Sequence, residues 1–276
     1  MRVLVSHFAV VAALTVATSA EAATLYRLTD LGVLPGVPTS VARTISNSGA
    51  IGGESGVGSN QNTGVRFDGG IVALPTLAGG DNTVIRGINN AGVSAAVIQM
   101  TGGDDRAALL TTGSAVQLGN LAGFAAAGAF DVNNFGVATG YALLSGRNGA
   151  AEGSFPVLGN AVQQVAVRWN GGIATALGNA NGIIRNATGS AINDAGMIAG
   201  NARLATNQQR AVLWGVDGSA TLLALGADQV ISRARAINEA GSVAGQVFFG
   251  NGDILGSVWS GSNQFLLNPV GTEYVQ

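Results

Sequence analysis

The chain has 276 residues, 43 of them Gly, with 47% hydrophobic residues, only 10% charged residues and a formal net charge of −2. This excludes a disordered chain, which would be charged and poor in apolar residues, and the near-neutral balance disfavours binding to nucleic acid or to anionic membranes. With no Cys, no Lys and a single His at position 7, the chain beyond that residue cannot form disulfides, Cys or His metal sites, or thiolate and amine nucleophiles.

The first element is MRVLVSHFAVVAALTVATSAEAA. Arg2 supplies a positive start, Val3 to Ala20 is mainly apolar, and Ala20-Glu21-Ala22 is a small-x-small cleavage site. These three parts in this order predict a secretory signal peptide over 1–22 rather than a membrane anchor. The mature domain, 23–276, is then exported, to the periplasm or beyond the cell, with no membrane span left. Without Arg2 and Glu21 it keeps 12 Arg against 14 acidic residues.

From there the chain repeats itself. After YRLTDLGVLPG (26–36), which reads as a spare fourth strand, five segments align: TISNSGAIGG, GINNAGVSAA, DVNNFGVATG, AINDAGMIAG and AINEAGSVAG. Their shared Gly49, Gly92, Gly136, Gly196 and Gly241 are spaced 43, 44, 60 and 45 residues apart. A second block keeps step, with its large residue at Phe67, Leu110, Trp169, Trp214 and Trp259, and a third follows (IVALPTLAG, AVQLGNLAG, IATALGNANG, TLLALGADQ, QFLLNPVG). Phase-locked signals at one period mean a repeat array, with units at about 37–80, 81–124, 125–183, 184–229 and 230–276. The extra length of the third unit is expected as a loop within 143–164.

Each unit reads as four short strands. The first ends at Ile-Asn or its equivalent, and the Asn-x-x-Gly segment makes a tight turn into the second. The Trp block is the third strand, and a Gly-rich turn leads into the fourth. No window after residue 25 carries helical periodicity with caps. Four antiparallel strands in about 44 residues is the size of a propeller blade, with the recurring Trp packed between blades. The predicted fold is an all-β propeller of five blades or an incomplete six-bladed ring; the alternatives are a β-solenoid or a pair of sandwiches.

These motifs, from Asp30-Leu31-Gly32 through the Ile-Asn-x-x-Gly hairpins to the Trp strands, resemble the bacterial extracellular repeat proteins of the HAF family. Their repeats carry a His-Ala-Phe triplet before a Trp. The matching positions are Arg210-Ala211-Val212 before Leu213-Trp214 and Val165-Ala166-Val167 before Arg168-Trp169, with Arg106-Ala107-Ala108 a weaker copy. The His is missing from every copy. The resemblance spans nearly the whole mature chain and implies a secreted protein whose biochemical role is unassigned; a copy that has lost activity is a further reading.

Little in the sequence carries chemistry. Only carboxylates are left for acid–base work. Asp104, Asp105 and Asp253 are candidate ligand-binding residues for a sugar or Ca²⁺, with solvated turns as the plainer reading. Asp194 and Glu239 stand at equivalent turn positions and read as turn residues. Arg86, Arg210, Arg233 and Arg235 read as flanking strands, solvated or able to meet an acidic glycan. No catalytic residue, cofactor or metal site is expected. The expected function is a secreted, non-catalytic binding or envelope scaffold module whose partner is an extracellular glycan or protein. The alternative is a secreted carbohydrate-active enzyme, which would gather carboxylates such as Asp104, Asp131 and Asp253 in one cleft.

Overall fold

A computed structural model describes residues 28–57, 61–144 and 164–267 of the chain. The chain divides into two compact units, Met1–Asp30 and Leu31–Gln276. The described residues fall almost wholly in the second. The signal-peptide reading and most of the expected 143–164 loop lie outside the described residues.

The second unit is all-β, with five four-stranded antiparallel sheets and no helix among the described residues. The first sheet holds β1 (Thr39–Ile45), β2 (Ile51–Gly56), β3 (Asn62–Phe67) and β4 (Ile71–Ala73). The second holds β5 (Gly80–Ile88), β6 (Ser94–Met100), β7 (Asp105–Leu110) and β8 (Ala115–Gln117). The third holds β9 (Ala126–Val132), β10 (Ala138–Leu143), β11 (Gln164–Asn170) and β12 (Ile173–Ala176). The fourth holds β13 (Ile184–Ile192), β14 (Ile198–Leu204), β15 (Gln209–Trp214) and β16 (Ala220–Leu222). The fifth holds β17 (Gln229–Ile237), β18 (Val243–Phe249), β19 (Ile254–Ser260) and β20 (Asn263–Leu267). Strands within each sheet neighbour one another in chain order. The extra residues of the third unit fall between β10 and β11.

The sequence explains the first hairpin of each sheet. Gly49, Gly92, Gly136, Gly196 and Gly241 all have φ between +76° and +85°, a region where a Cβ would collide with the following carbonyl. The turn is then closed by its Asn: Asn133 Oδ1 accepts from the N–H of Phe135 (3.1 Å) and of Val137 (2.9 Å). Asn89 does the same for Ala91 and Val93.

The expected spare strand differs. Residues 28–36 form no strand, because a fourth strand needs the third strand of its own sheet and none precedes it among the described residues. The segment is tied to the first sheet by side chains instead: Leu34 N–H donates to Ser55 Oγ (3.0 Å) and Ser40 Oγ donates to Gly32 O (2.6 Å).

Consecutive sheets pack in one recurring way. The first strand of each lies on the second and third strands of the sheet before it. Leu110 is buried with Leu74 at the first of the four seams, and the three Trp residues fill the other three. Trp169 is buried with Ala95, Ala107 and Leu118 of the second sheet, Trp214 with Ala166 and Leu177 of the third, and Trp259 with Ala199, Ala211 and Leu223 of the fourth. Each indole N–H donates back to the preceding sheet, at Gly119 O (2.8 Å), Gly178 O (2.9 Å) and Ala224 O (2.8 Å). A buried indole needs such an acceptor, so Trp is favoured where a carbonyl faces the seam. The Leu of the third block has a matching part. Leu74, Leu118, Leu177 and Leu223 are buried just after the fourth strand, and each N–H bonds to the third strand of its own sheet. The inner three sheets are covered on both faces by a neighbour. The first and last carry much of the exposed apolar surface, including Ile45 and Val41 on β1 and Ile254, Phe265 and Leu267 in the fifth sheet.

Candidate functional site

One irregularity recurs in all five sheets. Between the first and second strands the register slips by one residue, at the same place each time. The residue left without a partner is Arg43, Arg86, Phe130, Ser190 or Arg235, always three before the turn Asn or its equivalent, Ser46. This is a β-bulge, which bends the strand and re-aims a side chain. It also explains the second Gly of the motif. A Cβ on Gly53, Gly140, Gly200 or Gly245 would fall onto the carbonyl oxygen of Val41, Gly128, Thr188 or Arg233, two residues before the bulge. The second sheet carries Ala96 at this position.

The five bulge residues converge on one cavity of about 410 Å³ whose wall is mainly polar. Three are arginines. Arg43 donates through Nε (2.8 Å) and Nη2 (2.5 Å) to Oε1 of the buried Glu54. The Arg86 guanidinium lies over the Phe130 ring, 5.4 Å from its centroid. Arg235 is exposed.

A ladder of hydrogen bonds runs around the cavity from sheet to sheet. Asn89 Nδ2 donates to Asn133 O, Asn133 Nδ2 to Asn193 O, and Asn193 Nδ2 to Asn238 O, at 3.0, 3.0 and 3.1 Å. The next residue builds a second rail. Asn90 N–H donates to Asn134 Oδ1, Asn134 N–H to Asp194 Oδ1, and Asp194 N–H to Glu239 Oε2. In the first sheet Ser46 replaces the Asn, and the link passes through Ser48, whose N–H meets Asn90 Oδ1 (3.2 Å). Asp194 and Glu239, expected as turn residues, therefore act between repeats. Asp131 does likewise: its oxygens accept from Val132 N–H and Ile192 N–H, both at 2.9 Å.

The three candidate ligand residues do not meet at this site. Asp104 and Asp253 lie in the turns between the second and third strands, at the opposite ends of those strands from the bulges. Asp253 is exposed and bonded to Asn251. Asp105 is not at a loop tip; it begins β7, is 0% exposed, and accepts from Tyr141 Oη at 2.9 Å. Burial first, and the Asp105 charge second, raise Tyr141 well above the usual tyrosine range. Of Asp104, Asp131 and Asp253, only Asp131 lines the cavity. The arginines read as strand-flanking are within strands: Arg86 in β5, Arg210 in β15, Arg233 and Arg235 in β17. Burial pulls Arg210 and Arg233 below the usual guanidinium range. Among the described residues no set of three metal-binding side chains is gathered, and no helix is long and apolar enough to cross a membrane.

No protein-family model and no curated protein matches the chain.

Proposed function

We propose that the protein is an exported, non-catalytic binding module of β-propeller type, taking its ligand in the cavity at the first-hairpin end of its sheets. What supports the ring arrangement is that bulge residues from the first and the fifth sheet line the same cavity as those between them. In a linear stack the end units would be far apart. Kinship with the HAF-repeat proteins belongs to the same reading and rests on the hairpin and Trp-strand motifs. Export rests on residues 1–22.

The observation that carries binding is a contrast within the repeats. Framework positions keep their residue: Asn at the turn in four of five sheets, Gly at the bend in all five. The position re-aimed into the cavity changes, through Arg, Arg, Phe, Ser and Arg. A scaffold that holds five backbones alike and varies the side chains at one rim is built for recognition. The non-catalytic reading is supported by the carboxylates there: both oxygens of Asp131 and of Asp194 accept hydrogen bonds from protein N–H groups.

The test is a thermal-shift panel of Ca²⁺, soluble glycans and cell-wall fragments on residues 23–276. A ligand at 100 times its Kd stabilises the fold by about 2.7 kcal/mol. Ala236→Trp, at an exposed cavity-lining position of the last sheet, should abolish the shift by filling the space. A shift indifferent to this substitution, or no shift with any member, refutes the reading.

A further inference from the structure

Resting on the ring arrangement of that reading, but not on its cavity ligand, we infer that the space between the fifth and the first sheet takes one further sheet of the same repeat, carried by a partner polypeptide. The seam between consecutive sheets recurs four times, and each of its halves occurs once more without a mate among the described residues. The fifth sheet has the receiving half. Leu74, Leu118, Leu177 and Leu223 are buried where the next sheet docks. Leu267 stands at the same place, opposite Gly256, yet is 57% exposed. Ala95 and Ala199, on the second strands, are buried with the next sheet's Trp, whereas Ala244 at the same position is exposed. The first sheet has the docking half. Ile45 is 67% exposed, while Ile88, Val132 and Ile192 at the same strand position are buried. Ala42 is exposed, and its equivalents Ile85, Ala129 and Ala234 are buried. Apolar surface open in this way marks an interaction site.

Hydrogen bonding sets the chemistry of the occupant. On the first rail, Nδ2 of Asn89, Asn133 and Asn193 each donates to a turn carbonyl of the next sheet, and all three Asn are buried. Asn238 closes its own turn through Ser242 N–H but is exposed, and no later sheet among the described residues receives its Nδ2. On the second rail, Asp194 N–H meets Glu239. Glu239 N–H is the next donor in line and has no later sheet either. The first sheet holds the matching acceptors, the Ser46 carbonyl and the exposed carboxamide of Asn47. Asn47 stands where Asn134, Asp194 and Glu239 accept from the sheet before. The rails thus end in donors on the fifth sheet and acceptors on the first, and Ser46, Asn47 and Glu239 line one cavity. A single Asn-x-x-Gly hairpin accepts on one side and donates on the other, as it does at the inner junctions, and its strands bring the apolar mates of Leu267 and Ile45. A second copy of this chain does not fit. Continuing the seam, its first sheet would enter the space and its second would need the place held by the first sheet here.

The probe is a synthetic peptide copying residues 184–214, the first three strands of the fourth sheet with Asn193, Asp194 and Trp214, titrated calorimetrically into residues 23–276. The unaltered protein is expected to bind it one to one, with a gain of strand in circular dichroism as the peptide orders on docking. Leu267→Asp in the protein should weaken binding at least tenfold. Asn47→Ala in the protein and Asp194→Ala in the peptide each delete one junction bond and should each weaken it about fivefold. Both protein variants alter exposed side chains and should keep the melting temperature of the unaltered chain. Binding indifferent to Asn47→Ala and Asp194→Ala is bare apolar adhesion and overturns the inference. Self-association of the protein in light scattering, abolished by Leu267→Asp, puts a second copy in the space and also overturns it. Failure of the peptide to bind overturns it outright; a melting temperature lowered by Leu267→Asp then puts residues of this chain there. Small-angle scattering of the unaltered chain, compact for a ring and elongated for a linear stack, judges the ring arrangement separately.

Discussion

Asn133 offers the sharpest test of how the sheets are joined. Its Oδ1 closes its own turn through two N–H groups, and its Nδ2 crosses to the carbonyl of Asn193 in the next sheet. Asn133→Ala deletes all three bonds at a buried position. At about 1 kcal/mol for each net hydrogen bond the loss is about 3 kcal/mol, with up to a further 1–3 kcal/mol wherever a partner stays dry. The turn residue Phe135 is 77% exposed, so the turn N–H groups can recover water and the total should be about 2–4 kcal/mol. Asn133→Asp separates the two roles: both acceptor bonds survive, and an oxygen replaces the donor facing the Asn193 carbonyl. It should still cost more than 1 kcal/mol, roughly one buried bond plus an orphaned acceptor. The control is Asn251→Ala, which removes two bonds at an exposed turn and should cost under about 0.5 kcal/mol. Urea unfolding followed by Trp fluorescence measures all three. If Asn133→Asp matches the unaltered protein, the ladder contributes nothing between sheets and the reasoning fails.

Gly200→Ala should destabilise by about 1–3 kcal/mol, because its Cβ would meet the Thr188 carbonyl and the Trp214 ring; an unchanged melting temperature and near-ultraviolet spectrum would refute the bulge account. Trp214→Ala should cost about 3–5 kcal/mol, whereas Trp214→Phe should cost less and report mainly the lost bond to Gly178 O; urea midpoints would separate the two. Tyr141 has a folded pKa raised above its unfolded value, so its contribution is complete below about pH 10 and falls as pH rises further. Tyr141→Phe should therefore flatten the decline of stability measured by urea unfolding between pH 9 and 11, and an unchanged slope would count against burial as the cause. Arg43→Met strands the Glu54 carboxylate, which is 4% exposed. The cost should be about 2 kcal/mol, discounted from the 3–5 of a fully buried pair because the Arg side chain is partly exposed; thermal denaturation would show it.

The hairpins and seams could be read from the sequence because their causes are local. The bend needs Gly for its φ, the turn needs an Asn oxygen two to four residues from its donors, and Trp recurs at each of the last three seams. The bulge left a trace in the second Gly of the motif, at positions 53, 140, 200 and 245. Its reason, a carbonyl twelve residues away in sequence, is visible only once the strands are paired. Asp194 and Glu239 looked like ordinary turn residues because their partners lie 60 and 45 residues away. Asp105 beside Asp104 suggested a solvated pair. Asp104 instead stays in the turn, while Asp105 is the first residue of β7 and turns inward to Tyr141. The cavity was hidden for the same reason, since its wall takes a few residues from each of five distant segments.

The one-way packing of the sheets also bears on how the chain reaches its native state. Each sheet brings its first strand, and from the third onward its Trp, to a surface that the preceding sheet has already completed. No inner sheet has to wait for a distant segment before it can dock, so the entropy of closing long loops is spent one repeat length at a time. Structure can therefore grow along the polypeptide as successive repeats become available, with each docked sheet serving as the template for the next.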